Sequence, residues 1–385
     1  MQRNCYYLPK KYLLECFEKL WPASLQCSWD NTGLLIHADH ESPFASRPIY
    51  KSNFPYGPSE IVNEDDLITF NTLLTIDLTK RVVQEAIRNG VTMIVAYHPP
   101  IFNNLGKSFI SGTPTNDIIT QCIQHNISVF SPHTRLDNLP NDCINLHLLK
   151  SVVDNLDSGS AIFYLNDQFH SDMPTITVVD KKDSTEKIIG GNTKIELLRN
   201  LSKTVSARRH SDSATELLIN IKNIEKGTND NSGGPLIFFS KRPLKFDNIL
   251  QKFKALLGIE HCQAASRIHD QLLAETSVNS IAVCVGSGYG AFKEILNCNL
   301  DLYITGEVAH HNLLRMLDQS DNNPIVLMPG HCTTERFYLK KVKEDIISYF
   351  KENFGFRDSN FRSSFEFITE DLIISESDES AIKIL

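Results

Sequence analysis

Short apolar, β-branched runs alternate along this chain with stretches of helical periodicity, and no other feature constrains its fold as much. Leu73 to Ile76 is such a run; Lys80 to Asn89 follows with helical spacing, Gly90 stops it, and Val91 to Ala96 is the next run. Asp117 to His125 then reads as helix and Ile127 to Phe130 as strand. The order strand–helix–strand–helix implies parallel pairing through crossover helices. The pattern resumes at Ile281 to Val285, Asp301 to Ile304 and Pro324 to Met328, each followed by a helical stretch, and the chain closes with the strand-like Leu372 to Glu376. The expectation is an α/β fold with two α/β lobes.

A length of 385 residues predicts about two to three domains. The expected division is an N-terminal α/β lobe over 1–154, a middle segment over 155–235, and a C-terminal α/β lobe over 236–385. A proline- and glycine-bearing insertion is expected over 38–66 and a flexible Asn-Ser-Gly-rich linker over 222–235. The first residues read as an amphipathic helix with Leu13, Leu14, Phe17 and Leu20 on one face, not as a secretory signal. Nine scattered cysteines, never spaced as CxxC, point to reduced thiols in a cytosolic or nuclear protein and give no thiolate zinc site. A formal net charge of −8 argues against direct nucleic-acid or anionic-membrane binding, which needs a basic face. No apolar run is long enough to predict a membrane span.

The polar residues are placed against those strands. His98 follows the strand ending at Ala96, His133 and Asp137 follow the strand ending at Phe130, and His331 and Glu335 follow the strand ending at Met328. Ligand sites of open α/β sheets form beyond the carboxyl ends of strands, so such ends can converge on one site. His331 and Glu335 are four apart, which on a helix sets them on one face. Taken singly, each residue has an ordinary reading: a lone imidazole is usually a surface or core histidine, and an i,i+4 pair stabilises a helix without any metal. Taken together, His98, Asp137, His331 and Glu335 form a nitrogen-and-oxygen set suited to zinc, iron, manganese or cobalt. Cys332 reads as a packed thiol, because neighbours diverge on a helix.

Three further stretches carry alternatives. Gly286-Ser287-Gly288-Tyr289-Gly290 reads either as a phosphate-cradling turn or as a plain strand-to-helix turn. Thr305-Gly306-Glu307 precedes His310-His311; Thr305 is a candidate helix cap, and Glu307 or His310 a candidate support behind a metal ligand. Trp29 to Gly33 reads as a turn, with Asp30 and Asn31 in an Asx-turn.

The stretches SWDNTGLLI, TIDLT, AYHPPIF, SPHTRLD, GSGYG, DLYITGEVAHH, GHCTTER and IISESD run in this order from Ser28 to Asp378. In that combination the chain resembles the NIF3 family (NGG1-interacting factor 3-like proteins, also called the DUF34 or GTP cyclohydrolase 1 type 2 family), its eukaryotic branch above all. The resemblance implies two related α/β lobes flanking a central metal-site cleft. It implies one or two divalent ions per chain, zinc, iron or manganese, and a homo-oligomer, a toroidal hexamer in many members. By motif it assigns His98, Asp137 and Glu335 to one ion and His331 and Glu335 to the other, with Glu335 bridging. Tyr97 departs from the family, which has a histidine there. A phenol, with a pKa of about 10, is a poorer ligand than imidazole near pH 7. The second ion is therefore expected to be weak or absent unless Tyr97 ionises or His133 takes its place.

Two functions follow from the resemblance. One is a metal-dependent, cyclohydrolase-like hydrolase acting on a small polar or nucleotide-like substrate through metal-activated water, with Glu335 positioning the ion and His133 or Glu307 moving protons. The other is a non-catalytic metal-containing interaction protein, a transcriptional coregulator that works through protein partners. Either is expected in the cytoplasm, and the second also in the nucleus.

Overall fold

The computed structural model describes residues 7–38, 67–69, 71–102, 112–153, 160–165, 175–180, 184, 186–206, 217–222, 234–353, 372–380 and 382. Apart from their margins, the expected insertion over 38–66 and the expected linker over 222–235 lie outside the described residues. The chain forms two units, Met1–Leu136 with Tyr338–Glu379, and Asp137–Phe337 with Ser380–Leu385. The stretch 236–385, expected as a single lobe, is thus shared. Its late helix Leu339–Asn353 and strand Leu372–Ile374 belong to the first unit, because that strand pairs in parallel with Thr72–Thr75.

The first unit is built on a five-stranded sheet. Its order is Leu372–Ile374, Thr72–Thr75, Met93–Ala96, Ser128–Ser131 and Gly33–Ile36; the first four run parallel and the last is antiparallel. Alternate strand residues point to opposite faces. Leu73, Ile94 and Val129 pack with Val82, Val83 and Ala86 of the helix Lys80–Arg88 and with Ile118, Ile119 and Cys122 of the helix Pro114–Gln124. Both helices start where the sequence allows a cap. The hydroxyls of Thr79 and Thr113 accept from the backbone N–H groups of Val82 and Asn116. Phe130 packs against Phe17 and Trp21, with ring centroids 4.9 and 6.1 Å away. The helix Lys10–Leu20 buries Leu13, Cys16 and Phe17, whereas Leu14 and Leu20 are only half-buried.

A buried acid fastens the end of the chain to this sheet. The Glu85 carboxylate accepts from the Ser375 hydroxyl at 2.6 Å and from the N–H groups of Glu376 and Ser377 at 2.9 and 3.0 Å. Asp378, on the same turn, accepts from the N–H of Ile76 at 2.7 Å. That contact sets the backbone at the exit of the strand Thr72–Thr75.

The second unit carries a six-stranded mixed sheet in the order Gln263–Ala265, Ile325–Met328, Leu302–Thr305, Ser277–Cys284, Leu236–Lys245 and Ala161–Tyr164. Only Ser277–Cys284, Leu302–Thr305 and Ile325–Met328 are mutually parallel, so their carboxyl ends share one edge. A three-stranded antiparallel sheet of Leu217–Lys222, Thr175–Asp180 and Glu186–Ile189 and the helix Lys194–Ser206 come from the middle of the chain. Leu197, Leu198 and Leu201 share a core with Phe163, Phe239, Phe292 and Tyr303. Asp301, buried, accepts from the N–H groups of Asn279 and Ser280 at 2.7 and 3.2 Å and aligns two of the parallel strands. The eight described cysteines are free thiols, as the sequence predicted for those residues.

Candidate functional site

In the first unit, the carboxyl ends of the parallel strands present Asp77, His98 and His133. His98 and the residue before it extend the ladder, with the Tyr97 and His98 N–H groups donating to Thr75 and Ile76 carbonyls at 2.9 and 3.0 Å. His98 Nδ1 lies 2.9 Å from Asp77 Oδ1. A carboxylate on Nδ1 favours the tautomer with the lone pair on Nε2, the form that ligates metals.

His133 is held in the same way. Its Nδ1 is 2.8 Å from Asp30 Oδ1, and its backbone sits at φ 31°, a left-handed value that only surrounding contacts sustain. Asp30 is buried, and its second oxygen accepts from the Thr134 N–H at 3.2 Å and from the Thr134 hydroxyl. Burial pushes the Asp30 carboxyl up, but the hydrogen bonds from His133 and Thr134 outweigh it and hold the group below its ordinary range. Asp30 does accept from the Asn31 N–H, at 2.8 Å, but that neighbour is one residue on rather than the two of the expected Asx-turn. Its larger role, orienting a histidine 103 positions away, has no local signal. The imidazoles of His98 and His133 are 5.4 Å apart, and buried Tyr97 stands edge-on to His133 at 5.5 Å.

In the second unit, the three parallel strands exit into glycine-bearing turns. His331 opens the short helix His331–Arg336 and lies between two carboxylates: Nδ1 is 3.0 Å from Glu307 Oε1 and Nε2 is 3.3 Å from Glu335 Oε1. With Glu307 on Nδ1, a neutral His331 turns its Nε2 lone pair toward Glu335, and this facing pair can share either a proton or a cation. Gly286 makes room for the pair. Its φ is 65°, and a Cβ there would lie 2.6 Å from Glu335 Oε1 and 3.1 Å from His331 Nε2. Asn145 steadies the approach to this turn by accepting from the Val285 N–H at 2.9 Å. Asp137 belongs to this unit too. Burial pushes the Cys284 thiol far up, and the negative fields of Asp137 and then Glu335 push it further, so both acids act on one neighbourhood.

The glycine-rich stretch is the plain turn. The Gly286 N–H donates to Thr334 Oγ1 at 2.9 Å, the Gly288 N–H donates to Thr305 Oγ1 at 2.8 Å, and the helix that follows, Tyr289–Phe292, is four residues long. Thr305 is no helix cap. The helix His310–Asp318 begins after Ala309, and the Thr305 hydroxyl instead donates to the Gly286 carbonyl at 3.1 Å. Glu307, one of two candidates for a supporting role, is the one that reaches His331. Cys332 is buried.

The sequence marks every histidine and acid of these clusters except Asp77 and the orienting role of Asp30. Both lie within stretches that it singled out, TIDLT and SWDNTGLLI. No helix among the described residues is long and apolar enough to cross a membrane.

The model of the Duf34/NIF3 (NGG1p interacting factor 3) family matches residues 61–362. Among known proteins, the chain is 26% identical over 320 residues to NGG1-interacting factor 3 of Saccharomyces cerevisiae, covering 83% of each chain. It is 29% identical to NIF3-like protein 1 of Dictyostelium discoideum, over 86% of this chain and 89% of that one. The human NIF3-like protein 1 is 23% identical over 98% of this chain and 93% of its own. A crystal structure of a Bacillus cereus protein related to NIF3 superposes with a TM-score of 0.61 at 16% identity, over 98% of this chain and 99% of that one. A hypothetical protein of Staphylococcus aureus gives 0.57 at 19%, over 97% and 98%. At such identities the two solved structures speak for the fold alone, whereas the match over 61–362 speaks for descent: the chain belongs to the Duf34/NIF3 family, on its eukaryotic branch.

Proposed function

We propose that this protein is a metal-dependent hydrolase in which His98, Asp137, His331 and Glu335 hold a divalent ion. The observation that carries the reading is His331, set between Glu307 at 3.0 Å and Glu335 at 3.3 Å. A nitrogen-and-oxygen donor set with carboxylates behind the histidines fits zinc, iron or manganese. Such an ion supplies a Lewis acid and acidifies water at neutral pH. The rest falls to the chain's own side chains. Glu307 holds His331 in its ligating tautomer, and Asp77 does the same for His98. His133, steadied by Asp30, moves a proton at its Nε2. Self-assembly into a ring-like homo-oligomer and a cytoplasmic location belong to the same proposal.

The test is elemental analysis of the purified protein. About one tightly bound divalent ion per chain is expected, and Glu335→Ala is expected to remove it. Protein without metal in both forms sinks the reading. Tyr97→His is expected to raise the content toward about two ions; an unchanged content places Tyr97 away from a second position. The name of the yeast relative, NGG1-interacting factor 3, favours a second reading. There the protein is a metal-containing coregulator of transcription, cytoplasmic and nuclear, that binds protein partners. A metal-loaded protein that is inert against a panel of hydrolysable metabolites, with partner capture insensitive to Glu335→Ala, supports that second reading.

A further inference from the structure

Two large aromatic side chains of the first unit stay in solvent beside its histidines. Trp29 is 64% exposed and Phe102 49% exposed. Their ring centroids are 6.2 Å apart, and they stand 6.0 and 6.4 Å from the ring of His133, which is itself 5.4 Å from His98. Aromatic side chains carry the largest apolar surface of any residue and are normally covered.

These rings are not loose. The Asn31 amide donates to the Ile101 carbonyl, which ties the turn bearing Trp29 to the segment bearing Phe102. The Asp30 N–H donates to the Cys27 carbonyl at 3.0 Å, while the Asp30 carboxylate grips His133. Two hydrogen-bonded loops thus hold the indole, the phenyl and the imidazole in one arrangement without sinking the first two into the core. Preorganised exposed rings recognise what can lie flat on them.

The neighbouring imidazoles add a second requirement. An aliphatic ligand offers them nothing to hydrogen-bond, and a sugar, which can lay a C–H face on such rings, covers less of them than a flat ring does and serves as the control. A flat ring with nitrogen or oxygen atoms on its edge satisfies both. We infer that Trp29 and Phe102 form a stacking platform for a planar heteroaromatic ring, of purine or pyrimidine type, carried by a small molecule whose polar edge meets His133 and His98. This deepens the hydrolase reading, on which the placement of the substrate beside His98 rests. A small molecule is favoured over a nucleic-acid strand because the chain's net charge is −8.

Trp29 is one of two tryptophans in the chain, and the other, Trp21, is 1% exposed. Quenching of tryptophan emission therefore reports on the platform. Adenosine and uridine are expected to quench it saturably, and ribose is not. By equilibrium dialysis, Trp29→Ala is expected to weaken adenosine binding about tenfold, as for loss of one stacking partner. Phe102→Ala is expected to weaken it less, and Trp29→Tyr to restore most of it. Equal binding by the wild type and Trp29→Ala overturns the inference, as does the absence of saturable binding by either nucleoside. Sedimentation that changes with Trp29→Ala while no nucleoside binds assigns the rings to a subunit contact and also overturns it. Metal content is measured on the same samples. Metal without nucleoside binding sinks the platform alone. Trp29-dependent nucleoside binding without metal sinks the metal reading and leaves the platform standing.

Discussion

Both units end parallel strands in histidines whose Nδ1 is held by a carboxylate, but they surround those histidines with different chemistry. In the first unit the company of His98 and His133 is aromatic: Tyr97, Trp29 and Phe102. In the second, the company of His331 is glycine and acid, with Gly286 below it and Glu307 and Glu335 on its two nitrogens. The strand-end position explains why a site forms at all in each sheet. The loop residues decide its character: nitrogen donors beside flat apolar faces in one case, concentrated negative charge in a tight cradle in the other.

The cradle is the more brittle of the two. Gly286→Ala forces a side chain into a left-handed backbone and against Glu335 Oε1, 2.6 Å away. It is expected to abolish metal retention and to lower stability by about 1–3 kcal/mol, read from metal content and a denaturant melt. An alanine variant with full metal and an unchanged midpoint breaks the contrast between the units.

The carboxylates behind the histidines sharpen it. Asp77→Asn and Glu307→Gln are each expected to weaken metal affinity about 10–100-fold, measured by competition with a chelator. Equal losses mean that His98 and His331 both serve the ion. A loss confined to Glu307→Gln means that the first unit's histidine contributes no ligand.

The smallest effect concerns the brace of the first sheet. Burial raises the Glu85 carboxyl, yet the hydrogen bonds from Ser375, Glu376 and Ser377 outweigh burial and leave its pKa below the ordinary value. A lowered folded pKa stabilises above the unfolded pKa of about 4.3, and that contribution fades as pH falls through the lowered value. Glu85→Gln is expected to cost about 1–2 kcal/mol at pH 7, with a gap to the wild type that narrows under acid, and to leave metal content near normal. A gap that is constant from neutral pH into acid removes Glu85 from the account.

Much of this was legible in the chain. The parallel strands Thr72–Thr75, Met93–Ala96 and Ser128–Ser131 lie where β-branched runs alternate with helical spacing. The antiparallel partners were not legible. Gly33–Ile36 and Leu236–Lys245 look locally like any apolar run, and direction of pairing is a property of two strands rather than one. The return of Leu372–Ile374 to the edge of the first sheet was hidden for the same reason.

The amino-acid sequence by itself determined the α/β class, the family, and which histidines and acids stand at strand ends. Those features are written in periodicity, turn chemistry and motif order among near neighbours. Tertiary structure alone decided which acid grips which imidazole, as with Asp30 and His133, 103 positions apart, and which of two turn readings the glycines serve. Hydrogen bonds act over about 3 Å of space, so only the folded chain decides which distant groups come within that reach.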